Sequence, residues 1–86
     1  MELDLPYWFK QRQAKAEEVG NGTYKVSGPN LNPGVILVRM SDDMRWQAAL
    51  KADPSGTDVV ATDSVFSNAR EAMAAAFELY RTHMIV

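Results

Sequence analysis

The chain has 86 residues, 47% of them apolar and 23% charged, with a formal net charge of −2 and no cysteine. That length gives one domain with a small core, too little to enclose a large substrate cavity, and the lack of cysteine excludes disulfides, thiolate catalysis and cysteine-held zinc or iron–sulfur centres. An isoelectric point near 5.2 gives no overall attraction to nucleic acid or anionic lipid. No stretch approaches the roughly 20 apolar residues of a membrane helix, and "MELDLPYWFKQRQ" does not have the basic start and apolar run of a secretory signal. A cytoplasmic protein with no membrane association is the expectation.

Asp4 is placed to cap a helix with Pro6 in its first turn, and "WFKQRQAKAEEV" continues with good helix formers until Gly20, Asn21 and Gly22 stop it. The apolar stripe of Leu5, Trp8, Phe9, Ala16 and Val19 is concentrated at its start. A competing reading makes residues 15–19 a strand that turns through the Asn-Gly pair into "TYKVS". The Ala, Lys, Glu and Gln content favours the helix.

"TYKVS" (residues 23–27) alternates, with Tyr24 and Val26 on one side, and the proline-containing "GPNLNPG" reads as an irregular connection. "VILVRM" and "MRWQAAL" then form a hairpin. With residues 41–43 as a three-residue loop, Met40 faces Met44, Val38 faces Trp46 and Ile36 faces Ala48, all apolar on one side. A type I turn at "DPSG" with a bulge at Gly56 pairs Leu50 with Val59, Ala48 with Ala61 and Lys51 with Asp58. From residue 68, Asn68 and Glu71 form a capping box for an amphipathic helix whose stripe is Ala72, Met73, Ala76, Phe77, Tyr80 and Met84. The fold class expected is α+β: a single domain in which a three- or four-stranded antiparallel sheet (23–62) packs on a C-terminal helix (68–83), with an N-terminal helix and turn (1–22).

Asp42, Asp43, Asp53, Asp58 and Asp63 invite a metal-site reading. An EF-hand loop counted from Asp53 puts Asp58 where glycine is required and Ser64 where the bidentate glutamate belongs, so the pattern fails, and turns and strand pairing account for the aspartates. His83, the sole histidine, sits near a helix C-terminus, where an imidazolium meets the negative end of the dipole. The serines form no Gly-x-Ser-x-Gly elbow, and "GNG" is not followed by the Lys and Ser or Thr of a phosphate loop. The expectation is a non-enzyme with no cofactor, no metal and no small-molecule substrate.

The sheet face away from the last helix is the odd surface. Alternation collects Lys25, Arg39, Arg45, Gln47 and Lys51 there beside Val35, Leu37, Ala49 and Val60. The expected register sets Arg39 directly against Arg45, at a cost of roughly 0.2–1 kcal/mol. Asp42 or Asp43 folding back, the N-terminal helix covering the face with Trp8 and Phe9 on Val35 and Leu37, or an external acidic partner would each relieve it. The reading that follows is a small intracellular binding module acting through a protein–protein surface or a homodimer made by Arg39, Arg45, Gln47, Lys51, Lys25, Val35 and Leu37. DNA binding by the same face is the alternative.

Residues 44–81 add a family likeness. The order of a strand with Trp-x-Ala, a turn, a strand, Phe66, then Glu71-Ala72 and an alanine-rich helix with Ala75 and Phe77 resembles the AP2 and integrase-type DNA-binding domain. The resemblance implies a three-stranded sheet entering the major groove with a helix bracing its back. Its shared positions are mostly core packing residues, and the strands here carry few of the basic and aromatic residues with which that family reads bases.

Overall fold

In a computed structural model the described residues are 5–29, 31–53 and 56–84. They form α1 (Tyr7–Gln11), β1 (Lys15–Gly20), β2 (Thr23–Ser27), β3 (Gly34–Met40), β4 (Trp46–Lys51), β5 (Asp58–Ala61) and α2 (Ala69–Met84). The α+β class holds, with a sheet of five strands in the order β1-β2-β3-β4-β5, every neighbouring pair antiparallel. The expected three or four strands become five because the N-terminal segment supplies one.

That extra strand corrects the long N-terminal helix. Helix propensities separate ordinary residues by only tenths of a kcal/mol, whereas β1 covers the open hydrogen-bonding edge of β2, from Lys15 opposite Ser27 to Gly20 opposite Thr23. Gly22 makes the intervening turn at φ +72°, and a Cβ there would lie 3.2 Å from the Val38 carbonyl oxygen. α1 therefore ends after five residues. Its stop is a Schellman motif with Gln13 at φ +56°, Gln13 N–H donating to Lys10 O and Ala14 N–H to Phe9 O, both at 3.1 Å. The proposed Asp4 cap lies outside the described residues, as do Pro54 and Ser55 of the "DPSG" turn and the terminal Ile85 and Val86.

The β3–β4 hairpin keeps its faces but changes its partners, whereas β5 exchanges faces beyond Asp58. The β3–β4 connection is five residues, 41–45, closed by Ser41 N–H to Arg45 O at 2.8 Å. Met40 consequently faces Trp46, Arg39 faces Gln47, Val38 faces Ala48 and Ile36 faces Leu50. The slip from the expected register is two residues, which leaves every side chain on its expected side of the sheet. In β4–β5, Lys51 faces Asp58 as expected, but Leu50 faces Val60 and Ala49 faces Ala61. A one-residue bulge at Val59 causes the change. Val60 turns onto the core while Val59 is left 56% exposed, the reverse of the expected placement.

The core lies between one face of the sheet and α2. Tyr24, Val26, Ile36, Val38, Ala48 and Leu50 meet Ala72, Met73, Ala76, Phe77 and Tyr80 there. Small residues at 72 and 76 let the helix approach the strands closely. Asn68 Oδ1 accepts from Glu71 N–H at 2.9 Å, and the Glu71 carboxylate accepts in return from Asn68 Nδ2 and Ser67 Oγ, so α2 begins where the capping residues place it. α1 packs on this same side. Phe9 is edge-on to Phe77 at 5.1 Å and Trp8 stacks on Tyr80 at 6.2 Å, which corrects the idea that these rings cover Val35 and Leu37.

Candidate functional site

The outer face of the sheet can be laid out from the strand registers. One row crosses all five strands as Glu17, Lys25, Val35, Lys51 and Asp58. The charges run acid, base, apolar, base, acid, so each lysine stands opposite a carboxylate of an edge strand. The next row holds Thr23, Leu37, Ala49 and Ala61, and the third holds Arg39 and Gln47.

Arg39 is not opposed by another arginine. Its guanidinium donates to Asp58 Oδ2 at 2.5 Å and its Nε to Gln47 Oε1 at 2.7 Å, while Gln47 Nε2 donates to the Thr62 carbonyl at 2.7 Å. Because Asp58 lies two rows away, the aliphatic stem of Arg39 must pass over the Leu37–Ala49 row. Long charged side chains commonly cover apolar surface in this way. Val35, Leu37 and Ala49 retain 1%, 8% and 0% exposure with no second layer of helix or strand against them among the described residues. The Arg39 hydrogen bond holds the Asp58 carboxyl below its ordinary value of 3.8, against a smaller opposing effect of burial.

The nominated residues therefore divide. Arg39, Gln47, Lys25, Lys51, Val35 and Leu37 do share the outer face, but Val35 and Leu37 have almost no surface to offer a partner. Arg45 leaves the set: it lies in the 41–45 connection, exposed. There Asp43 accepts from the Ser41 hydroxyl and from Arg45 N–H at 3.2 Å, and the Ser41 bond is the leading cause of its lowered carboxyl pKa. The acid that restrains Arg39 is Asp58 of β5 rather than the hairpin-tip aspartates.

A second region is concave and of mixed polarity. The last helix-side residue of β3, Met40, is 49% exposed and shares a concave lining with Ala69 at the start of α2. Opposite Met40 is the half-buried Trp46, anchored by a bridge to Phe66 in which Trp46 N–H reaches Phe66 O at 2.8 Å. The β1–β2 turn forms the far wall. The result is a groove of about 400 Å3 lined by Glu18, Asn21, Gly22, Tyr24, Val38, Arg39, Met40, Trp46 and Ala69. Tyr24 is 5% exposed, and its hydroxyl donates to Glu18 Oε2 at 3.4 Å. Burial first, then the Glu18 charge, pushes the Tyr24 phenol up, so it stays protonated.

Met44, at the tip of the same hairpin, is 74% exposed and holds φ +63°, a conformation that costs a non-glycine residue roughly 1 kcal/mol or more. The sequence reading missed this region because Met40 and Met44 were matched as an interior pair. No residue type in "SDDMR" marks it, since Ser41, Asp42 and Asp43 are three consecutive polar residues, as a three-residue loop requires.

Chemically, the groove offers an aromatic and thioether surface with one carboxylate. Among the described residues no three or more His, Asp or Glu side chains group to hold a metal, and no helix is long and apolar enough to cross a membrane. His83 is exposed near the end of α2. Comparison with protein-family models, with curated proteins and with solved structures finds no match.

Proposed function

We propose that this chain is a small non-catalytic binding module that recognises a protein partner through the groove at the β3–β4 hairpin end. The observation that carries the reading is the 49% exposure of Met40 opposite the half-buried Trp46, with Met44, 74% exposed, at the tip of the same hairpin. Trp and Tyr are the residues on which interface energy concentrates, and methionine adapts its shape to a partner surface. The flat outer face, with its aliphatic residues covered and Arg39, Lys25 and Lys51 facing Asp58 and Glu17, is the weaker candidate. The same pairing weakens DNA binding, since carboxylates beside the basic residues oppose phosphate.

Amide-shift mapping tests this without a known partner. Indole, as an apolar probe, is expected to move the amides of residues 24, 38, 40 and 46, while mixed-sequence duplex DNA at low salt leaves residues 25, 39, 45 and 51 unmoved. Indole shifts scattered over the molecule would defeat the groove reading. DNA shifts on the outer face that vanish as salt rises would establish the nucleic-acid reading in its place.

A further inference from the structure

We infer that the groove takes a cationic side chain, arginine or lysine, carried beside an apolar residue on a short segment of the partner protein. The inference rests on the protein-recognition reading above and adds the chemistry of the ligand. Two charged residues line the groove, Glu18 and Arg39. Arg39 contributes no charge to it, because its guanidinium is held by Asp58 and Gln47 on the opposite face. Glu18 is exposed and sits on the groove side of β1, opposite Tyr24, whereas its neighbour Glu17 faces Lys25 on the outer side. Among the described residues the bond that Glu18 accepts is the long one from Tyr24, at 3.4 Å, and no cation lies within ion-pair distance of its carboxylate.

Among the described residues the groove thus presents one carboxylate with no ion-pair partner, Glu18, on the same lining as Trp46. The half-buried Trp46 supplies a ring face that attracts a cation, and Met40, 49% exposed, supplies apolar area for a neighbouring side chain. An anionic or neutral polar segment would leave Glu18 opposed or idle; a guanidinium or ammonium satisfies the carboxylate and the Trp46 ring together. The available volume admits two or three side chains rather than a whole helix or strand.

The test is an amide-shift titration with acetyl-Leu-Arg-Leu-amide and acetyl-Leu-Gln-Leu-amide on the wild-type chain, Glu18→Gln and Glu17→Gln. The arginine peptide is expected to bind at residues 18, 24, 40 and 46 about two to five times more tightly than the glutamine peptide, a preference the size of an exposed ion pair. Glu18→Gln should erase that preference while leaving indole binding unchanged, and Glu17→Gln should retain it. Equal binding of the two peptides, or a preference that survives Glu18→Gln, overturns the cation assignment and leaves protein recognition standing. Indole binding with neither peptide engaged does the same. Silence of the groove toward all three ligands overturns both readings.

Discussion

Replacing Arg39 should cost more than replacing its partner, because the arginine does two things and the aspartate one. The Arg39–Asp58 pair is close, at 2.5 Å, but its side chains are 42% and 27% exposed, so solvent screening limits it to about 0.5–1 kcal/mol. Arg39→Ala also uncovers the Leu37–Ala49 row. Some 40 Å2 of apolar surface at about 25 cal/mol per Å2 adds roughly 1 kcal/mol, for a total near 1.5–2 kcal/mol, whereas Asp58→Asn keeps the arginine stem in place and should lose about 0.5–1 kcal/mol. Urea unfolding at neutral pH measures both, and the double variant gives a coupling of about 0.5–1 kcal/mol. The sign with pH follows from the lowered Asp58 carboxyl: its stabilisation is complete above the ordinary value of 3.8 and is lost as pH falls through the lower folded-state value. Wild type and Asp58→Asn should therefore converge in acid. Equal costs for Arg39→Ala and Asp58→Asn would refute the covering role of the stem, and zero coupling would refute the pair.

Three further outcomes are expected. Gln13→Gly should stabilise the fold by up to about 1 kcal/mol, since glycine adopts the left-handed end of α1 without the steric cost that glutamine bears; thermal unfolding would show a rise of a few degrees. Tyr80→Phe removes the bond from the buried hydroxyl to the Asn32 carbonyl at 2.5 Å and should cost about 0.5–1.5 kcal/mol, with faster amide exchange in residues 31–33 as its local mark. Trp8→Phe should cost less than its lost ring area implies. The indole Nε1 is buried and finds no acceptor among the described residues, so its removal relieves a desolvation penalty of about 1–3 kcal/mol, and a loss above about 3 kcal/mol in urea would contradict that.

Sidedness was the most legible property of the fold. The β3–β4 hairpin slipped by two residues and still put Ile36, Val38 and Ala48 on the core, because a strand's faces alternate with period two. The bulge at Val59 shows the limit: a single extra residue exchanged Val59 and Val60 between faces, and no residue type marks a bulge in "TDVVA". β1 was hidden by its own composition, since Lys15, Ala16, Glu17 and Glu18 favour helix weakly and the hydrogen-bonding edge of β2 decides the matter in three dimensions. The outer-face residues were found together, yet alternation says which way Val35 and Leu37 point and not what lies over them. Their covering depends on a diagonal reach from Arg39 to Asp58, 19 positions along the chain. The groove was the least legible feature, because Glu18, Tyr24, Met40, Trp46 and Ala69 come together only in three dimensions, from four strands and a helix.

Whether the hairpin end is the recognition surface can be read most directly by placing a photo-crosslinking amino acid at position 44, and separately at positions 25 and 82, in cells of the native host. Recognition at the groove predicts a discrete protein adduct from position 44 that is lost when Met40→Asp is added, and none from positions 25 and 82. Adducts from position 25 with none from position 44 would contradict it and return the interface to the outer face of the sheet.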